Sequence, residues 1–265
     1  MDKPKLTIAT MFAERWYCLD AYFGGLMGIR DRQDIDYIAI NSSTNELFHS
    51  VLEDRIKSCG FRSYKIVPSG VPIVFQNEHD VVNNTGVVAR MTNVALTTNK
   101  AREEILKTDC DYGWIIEDDN VIPPDAKEKH LAMFDHKASK PVGASVCYAI
   151  QRYKAEMYGG RSPLAWDFII KYTFGEQDTS GEKQVVPIVA QPPADVWVEE
   201  MGSATFGSIL IKREVLEKIK FTREYKTLTN HDIVFGLQLL EAGYCLLIDW
   251  NLHVKHIHYT GEVLL

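Results

Sequence analysis

The sequence predicts an α/β protein built on a doubly wound, mostly parallel sheet, with helices on both faces and a less regular second half. Two observations carry this. The first half alternates short apolar runs with stretches of helical periodicity, the pattern of parallel strands joined by right-handed crossovers. Further on, the apolar run Tyr112-Gly113-Trp114-Ile115-Ile116 passes at once into Glu117-Asp118-Asp119, followed by Asn120-Val121-Ile122-Pro123-Pro124. Such a run reads as a buried parallel strand. Ligands of open α/β sheets collect outside the carboxyl ends of the strands, so the three acids fall where such a sheet does its chemistry.

The elements follow in order. Residues 6–10 read as a first strand and 16–29 as an amphipathic helix. Residues 37–40 form a second strand that ends in the polar turn Asn41-Ser42-Ser43-Thr44-Asn45. A helix over 46–59 stops at Gly60, a C-cap signal, and 64–67 is a third strand. Residues 68–85 read as a long loop. Within the next helix, 86–107, Val87, Val88, Met91, Val94, Ala95, Ala101 and Ile105 lie close to one face. It leads into the strand over 112–116, and residues 142–150 are a further strand. Residues 151–200, rich in Pro, Gly and aromatics, read as hairpins and loops over the active edge of the sheet. A strand over 204–211, a short helix over 213–219, a helix over 232–242 ended by Gly243 and a last strand over 244–248 complete the chain.

The bulk properties fit a soluble enzyme. A chain of 265 residues, 46% hydrophobic, can bury one large core or two small ones. No apolar run approaches the ~20 residues that span a bilayer, and the opening Met1–Lys5 lacks the apolar core of a signal peptide. Cys18, Cys59, Cys110, Cys147 and Cys245 are scattered, odd in number and without a C-x-x-C pair. That usage fits reduced thiols and a cytoplasmic protein, and argues against both a disulfide framework and zinc. A net charge of −7 argues against a broad nucleic-acid footprint.

Adjacent carboxylates repel unless a cation or a proton sits between them. Oxygen ligands suit a hard divalent ion, Mg²⁺ or Mn²⁺, and such sites keep open positions for substrate phosphates. The alternative use of the acids is to cap the helix expected after Pro123-Pro124.

Four segments in this order carry a resemblance: a helix with Arg90 and Asn93; the strand ending in Glu117-Asp118-Asp119; the stretch from Gly202-Ser203-Ala204-Thr205-Phe206-Gly207 to Val215; and Asn230-His231-Asp232-Ile233-Val234-Phe235 leading to Glu241-Ala242-Gly243-Tyr244. The set resembles the family 2-like glycosyltransferases of GT-A fold over about residues 6–258. The resemblance implies one catalytic domain over 1–265, with a nucleotide-sugar half (1–120) and an acceptor half (121–265). It implies a nucleotide-diphosphate donor, a UDP-hexose in many members, and a divalent ion on its pyrophosphate. Glu117 and Asp119 then hold the metal together with His256, with His253 and His258 as alternates, and Asp118 contacts the donor. Arg90 matches an arginine turned toward the donor. Thr10 matches the start of the nucleobase pocket, and Asn41 and Ser43 the end of the second strand. Many members bind uracil there with an aspartate, and this chain has none between Ile40 and Glu46.

Asp232 matches the base of an inverting transfer, the second residue of an acidic pair whose first position here is His231. A helix cap is the alternative use of Asp232. Trp166, Trp197 and Tyr158 are candidates to stack on a sugar, or to pack. The acceptor hydroxyl is left open among a glycan, a lipid-linked sugar, a protein side chain and a hydroxymethylated DNA base.

Two other functions compete. A sugar-phosphate nucleotidyltransferase needs a Gly-rich loop after the first strand, where this chain has Thr10-Met11-Phe12-Ala13-Glu14. A sugar-nucleotide-binding protein without activity is favoured by His231 and the missing aspartate. A dehydrogenase is excluded because no G-x-G-x-x-G follows the first strand.

Overall fold

The computed structural model describes residues 3–71, 84–149, 169–177, 183–190, 197–203, 206–223, 231–257 and 263–264; the side chains of 84–91, 148–149, 169–177, 183–190 and 263–264 lie outside the description. The first half runs β1 (Leu6–Phe12), α1 (Leu19–Gly28), β2 (Asp36–Asn41), α2 (Glu46–Cys59), β3 (Ser63–Pro68), α3 (Asn84–Ile105) and β4 (Tyr112–Glu117). After the acids come β5 (Asn120–Val121), α4 (Ala126–Met133) and β6 (Val142–Ala149). The hairpin β7 (Ile169–Gln177) and β8 (Lys183–Ala190) stands apart as its own antiparallel pair. The chain then follows β9 (Val198–Met201), β10 (Ser208–Lys212), α5 (Arg213–Lys218), α6 (His231–Glu241), β11 (Cys245–Ile257) and β12 (Val263–Leu264).

The main sheet has the order β12-β11-β6-β10-β4-β1-β2-β3, with β5 and β9 paired to β11. Strands β3, β2, β1 and β4 are mutually parallel, and β11 is parallel to β6. Strand β10 runs antiparallel to both β4 and β6. The last strand-forming stretch before α5 therefore enters the sheet reversed, and it starts at Ser208 rather than at the expected residue 204. Ser208 is pinned where it enters: Trp114 Nε1 donates to its hydroxyl at 2.8 Å, and the buried His130 ring lies between it and Ser145 Oγ at 3.1 and 2.9 Å.

Alternation along the central strands makes two cores. Leu6, Ile8, Phe12, Trp114 and Ile116 face α1, α2 and α4 through Tyr22, Phe23, Phe48, Leu52 and Met133. Ala9, Ile115, Ile209 and Ile211 face α3, α5 and α6 through Ala101, Ile105, Leu216, Phe235 and Leu239. Helices thus cover both faces, as a doubly wound sheet requires. Helix α2 begins at Asn45, whose Oδ1 accepts from the backbone N–H of Leu47 and Phe48 at 3.0 and 3.3 Å, and ends at Gly60 with φ 69°.

Two boundaries differ from expectation in ways that build the site. Helix α1 starts at Leu19 rather than 16, because Glu14 turns the chain with φ 57° and residues 13–18 form a loop over the end of β1. Strand β11 runs on to Ile257 instead of stopping at 248, through a register shift between Asp249 and His253. Its far end pairs with β5, placing His256 opposite Asn120.

Helix α6 lies unusually close to the segment before β10. A Cβ on Gly236 would collide with the Gly202 carbonyl oxygen and come within 2.6 Å of Ser203 Cβ. Gly236→Ala should therefore destabilise the fold by about 1–3 kcal/mol, despite alanine's better helix propensity, because backbone cannot move aside as a side chain can. Chemical denaturation checks this; an unchanged midpoint would disprove the close packing.

Candidate active site

The acids lie at the junction of three chain segments. Glu117 ends β4 next to Met11 of β1, and the carboxyl end of β1 leads straight into the 13–18 loop. Ala13 N–H donates to Asp118 Oδ2 at 3.1 Å. On the other side, Ile257 N–H donates to the Asp119 carbonyl at 2.7 Å, and Asn120 Nδ2 donates to Asp119 Oδ1 at 2.9 Å. Asp118 and Asp119 are buried, 1% and 7% exposed. The end of β11 brings His256 Nε2 to 3.5 Å from Asp119 Oδ2.

The strongest partner of the acids was not anticipated from the sequence. Arg15, on the 13–18 loop, reaches both aspartates through Nη1, at 2.8 Å to Asp118 Oδ1 and in closer contact with Asp119 Oδ2. The signal was available: Glu14-Arg15 is a charged pair just past the carboxyl end of an apolar strand, where the same rule had placed Glu117-Asp118-Asp119.

These contacts set the charges. Burial pushes Glu117 up to about 7, reinforced by the charge of Asp119 and opposed by Arg15, with Asp232 and His256 also acting on it. Burial lifts Asp118 to about 6 against the pull of Arg15. For Asp119 the burial cost is outweighed by Arg15 and His256, which bring it down to about 2. Burial lowers His256, but the hydrogen bond and charge of Asp119 prevail and its pKa is raised.

The second cluster sits at the start of α6. His231 Nε2 is 2.7 Å from Asp232 Oδ1. Burial lowers His231, but the charge and hydrogen bond of Asp232 leave it raised. Asp232 is the second residue of α6, inside the first turn rather than at the cap, and its carbonyl accepts from Ser203 Oγ at 2.5 Å. Glu117 feels Asp232 and His256, and His231 feels Glu117, so the two clusters share one electrostatic neighbourhood.

The remaining expected residues divide. Thr10 is fully buried, with its hydroxyl on Tyr22 Oη in a polar pair that also reaches Tyr37, so it faces the core rather than a ligand. Asn41 Oδ1 accepts from Ser43 N–H at 2.9 Å, and Ser43 Oγ donates to Glu14 at 2.5 Å. Asn45 Nδ2 donates to the other Glu14 oxygen at 2.8 Å, which places a carboxylate at the edge that lacks the expected aspartate. Arg90 lies on α3 with its side chain outside the described residues. His253 is exposed on β11; His258, Trp166 and Tyr158 lie outside the described residues. Trp197 is 61% exposed.

Carboxylate oxygens and an imidazole nitrogen form a donor set suited to Mg²⁺ or Mn²⁺, and Asn120 Oδ1 is a further buried oxygen with no hydrogen-bond partner among the described residues. Among the described residues no three such side chains stand ready-made as a metal centre. The place between Asp118 and Asp119 is taken by the Arg15 guanidinium. In kind, though not as they stand, these donors suit such an ion.

No protein-family model and no curated protein sequence matches the chain. Its fold does match solved structures. A mannosyltransferase from Pyrobaculum calidifontis, solved with GDP-Man and Mn²⁺, superimposes with a TM-score of 0.58 at 11% identity, over 97% of this chain and 58% of that one. TarS from S. aureus gives a TM-score of 0.50 at 7% identity, over 94% of this chain and 36% of that one. The chain spans less than two thirds of the length of either. With its curled, mostly parallel sheet, helices on both faces and acids at the end of β4, the chain has the GT-A fold seen in nucleotide-sugar transferases.

Proposed function

We propose that this protein is a glycosyltransferase that moves a sugar from a nucleoside-diphosphate donor to an acceptor hydroxyl. The observation that carries the reading is the acidic turn at the end of β4, with His256 Nε2 3.5 Å from Asp119 Oδ2 and with the charge of Asp232, paired with His231, acting on Glu117. Asp119 and His256 would hold a divalent cation, with Glu117 and Asp118 beside them. Bound there, Mn²⁺ or Mg²⁺ supplies Lewis acidity that offsets negative charge growing on the diphosphate leaving group.

The chain's own groups do the rest. Asp232 takes the proton of the acceptor hydroxyl as it attacks, with its carboxylate oriented by the His231 imidazole. Inversion at the anomeric carbon follows from attack opposite the leaving diphosphate. Glu14, held by Ser43 and Asn45, offers an acceptor for the N–H edge of a nucleobase. Uracil and guanine both present such an edge, so UDP- and GDP-sugars are the donors to compare first.

The test is thermal stabilisation by UDP, GDP, ADP and CDP, each in Mn²⁺ and in EDTA. Ligand at 100 times its Kd stabilises by ~2.7 kcal/mol, a rise in Tm of roughly 5–10 °C for a chain of this size. One diphosphate should give that rise only with Mn²⁺, and its sugar nucleotide should then be hydrolysed slowly. Failure of all four to bind would overturn the reading; binding without hydrolysis or transfer would favour the inactive sugar-nucleotide binder.

A further inference from the structure

The ion pair between Arg15 and the two aspartates has a consequence for how the site loads. Arg15 uses one nitrogen, Nη1, for both carboxylates. Among the described residues its Nε and Nη2 make no hydrogen bond, and the side chain is 30% exposed. One nitrogen of the planar fork is thus committed to the acids, and the other two are left without a partner among the described residues. The arginine follows a left-handed residue, Glu14, on a loop that carries two half-exposed aromatics, Trp16 and Tyr17, 43% and 42% exposed. Its backbone is tied down by Cys18 Sγ, which donates to the Arg15 carbonyl at 3.1 Å.

We infer that Arg15 is an exchangeable counter-cation: it neutralises Asp118 and Asp119 in the free protein, competes with a divalent ion for them, and once displaced turns its fork onto the diphosphate of the ligand. The inference rests on the proposed metal-held diphosphate. Two buried carboxylates cannot stay ionised side by side without a positive charge. A guanidinium supplies it before a metal binds, at the cost of weak metal binding, and its planar donors match phosphate oxygens when released. Metal and diphosphate would then bind with mutual support, because each removes a competitor of the other.

The experiment titrates Mn²⁺, followed by electron paramagnetic resonance, and then inorganic pyrophosphate at saturating Mn²⁺, at pH 8 where protons compete least. It uses wild type, Arg15→Met, Arg15→Lys and Asp119→Asn, with circular dichroism as the check of folding. Arg15→Met should bind Mn²⁺ alone at least about tenfold more tightly than wild type, since a charge-assisted contact no longer has to be broken. The same variant should bind pyrophosphate at least about tenfold more weakly. Arg15→Lys, which keeps the charge, should retain the weak Mn²⁺ affinity of wild type.

Equal Mn²⁺ affinity in wild type and Arg15→Met, with binding lost in Asp119→Asn, would overturn the exchange while leaving the metal site intact. Arg15→Lys binding Mn²⁺ as tightly as Arg15→Met would overturn competition by charge. No Mn²⁺ binding in any variant, with or without pyrophosphate, would overturn both this inference and the metal-held diphosphate.

Discussion

Asp119→Asn should lose metal-dependent nucleotide binding, by roughly 100-fold or more, while the protein stays folded. Asparagine fills the same volume and leaves the main-chain bond from Ile257 to the Asp119 carbonyl in place. What it removes is the carboxylate that Arg15 and His256 keep ionised at about pH 2 and above. Calorimetry with nucleoside diphosphate, in Mn²⁺ and in EDTA, reads the loss; equal wild-type affinity in the two conditions would rule out the metal bridge.

The pH dependence has a definite sign. Glu117 and Asp118, raised to about 7 and about 6, take up protons as pH falls from 8 to 6, and a proton on either competes with the cation. Cation affinity should therefore weaken across that window. Stability of the free protein should move the other way. A carboxyl raised in the folded state binds more protons there than in the unfolded chain, so the cost of its buried charge is relieved as pH drops from about 7 toward the ordinary carboxylate range. Asp119, shifted down, opposes this only below that range.

Asp232→Asn should lose about 10²- to 10⁴-fold in transfer rate, the usual cost of removing a positioned base, while donor affinity holds. Asp232 belongs to the first turn of α6 and not to its cap. Its carboxylate is buried and paired with His231, so the variant also loses the charge of that pair, while asparagine keeps a side-chain oxygen for His231 Nε2; circular dichroism checks that the fold is kept. A variant equally impaired in donor binding would mean that Asp232 shapes the pocket and does not act on the acceptor. The configuration of the product, read by NMR coupling at the anomeric carbon, gives an independent check, since retention removes the simple base role. His231→Ala is the informative control. With His231 Nε2 at 2.7 Å from the carboxylate, a loss as large as that of Asp232→Asn would mean that the pair works as one unit.

The parts legible in the sequence are those governed by local rules. The apolar strands β1, β2 and β4, the cap of α2 at Asn45 and its end at Gly60 are written in neighbouring residues, and they stand within a residue or two of expectation. The acids of β4 were legible because an apolar strand that stops in carboxylates needs no partner to be noticed. Arg15 was not, because a lone arginine after a strand acquires meaning only when another loop brings anions to it. Thr10 misled for the converse reason: β1 runs two residues past it to Phe12, and Tyr22 from α1 draws its hydroxyl into the core.

The sequence by itself determined the α/β class, the double winding and the strand whose end carries the acids, because each follows from hydrophobic period and charge within short stretches. Tertiary structure decided the direction of β10, which depends on its two neighbours, β4 and β6, and not on its own residues. It also decided which histidine meets the acids. A register shift in β11 lets the strand continue past its expected end and pair with β5, and that pairing, made between residues more than a hundred positions apart, sets His256 beside Asp119 and leaves His253 facing outward. Register between distant strands is fixed by the packing of both faces at once, and no local pattern in either strand contains it.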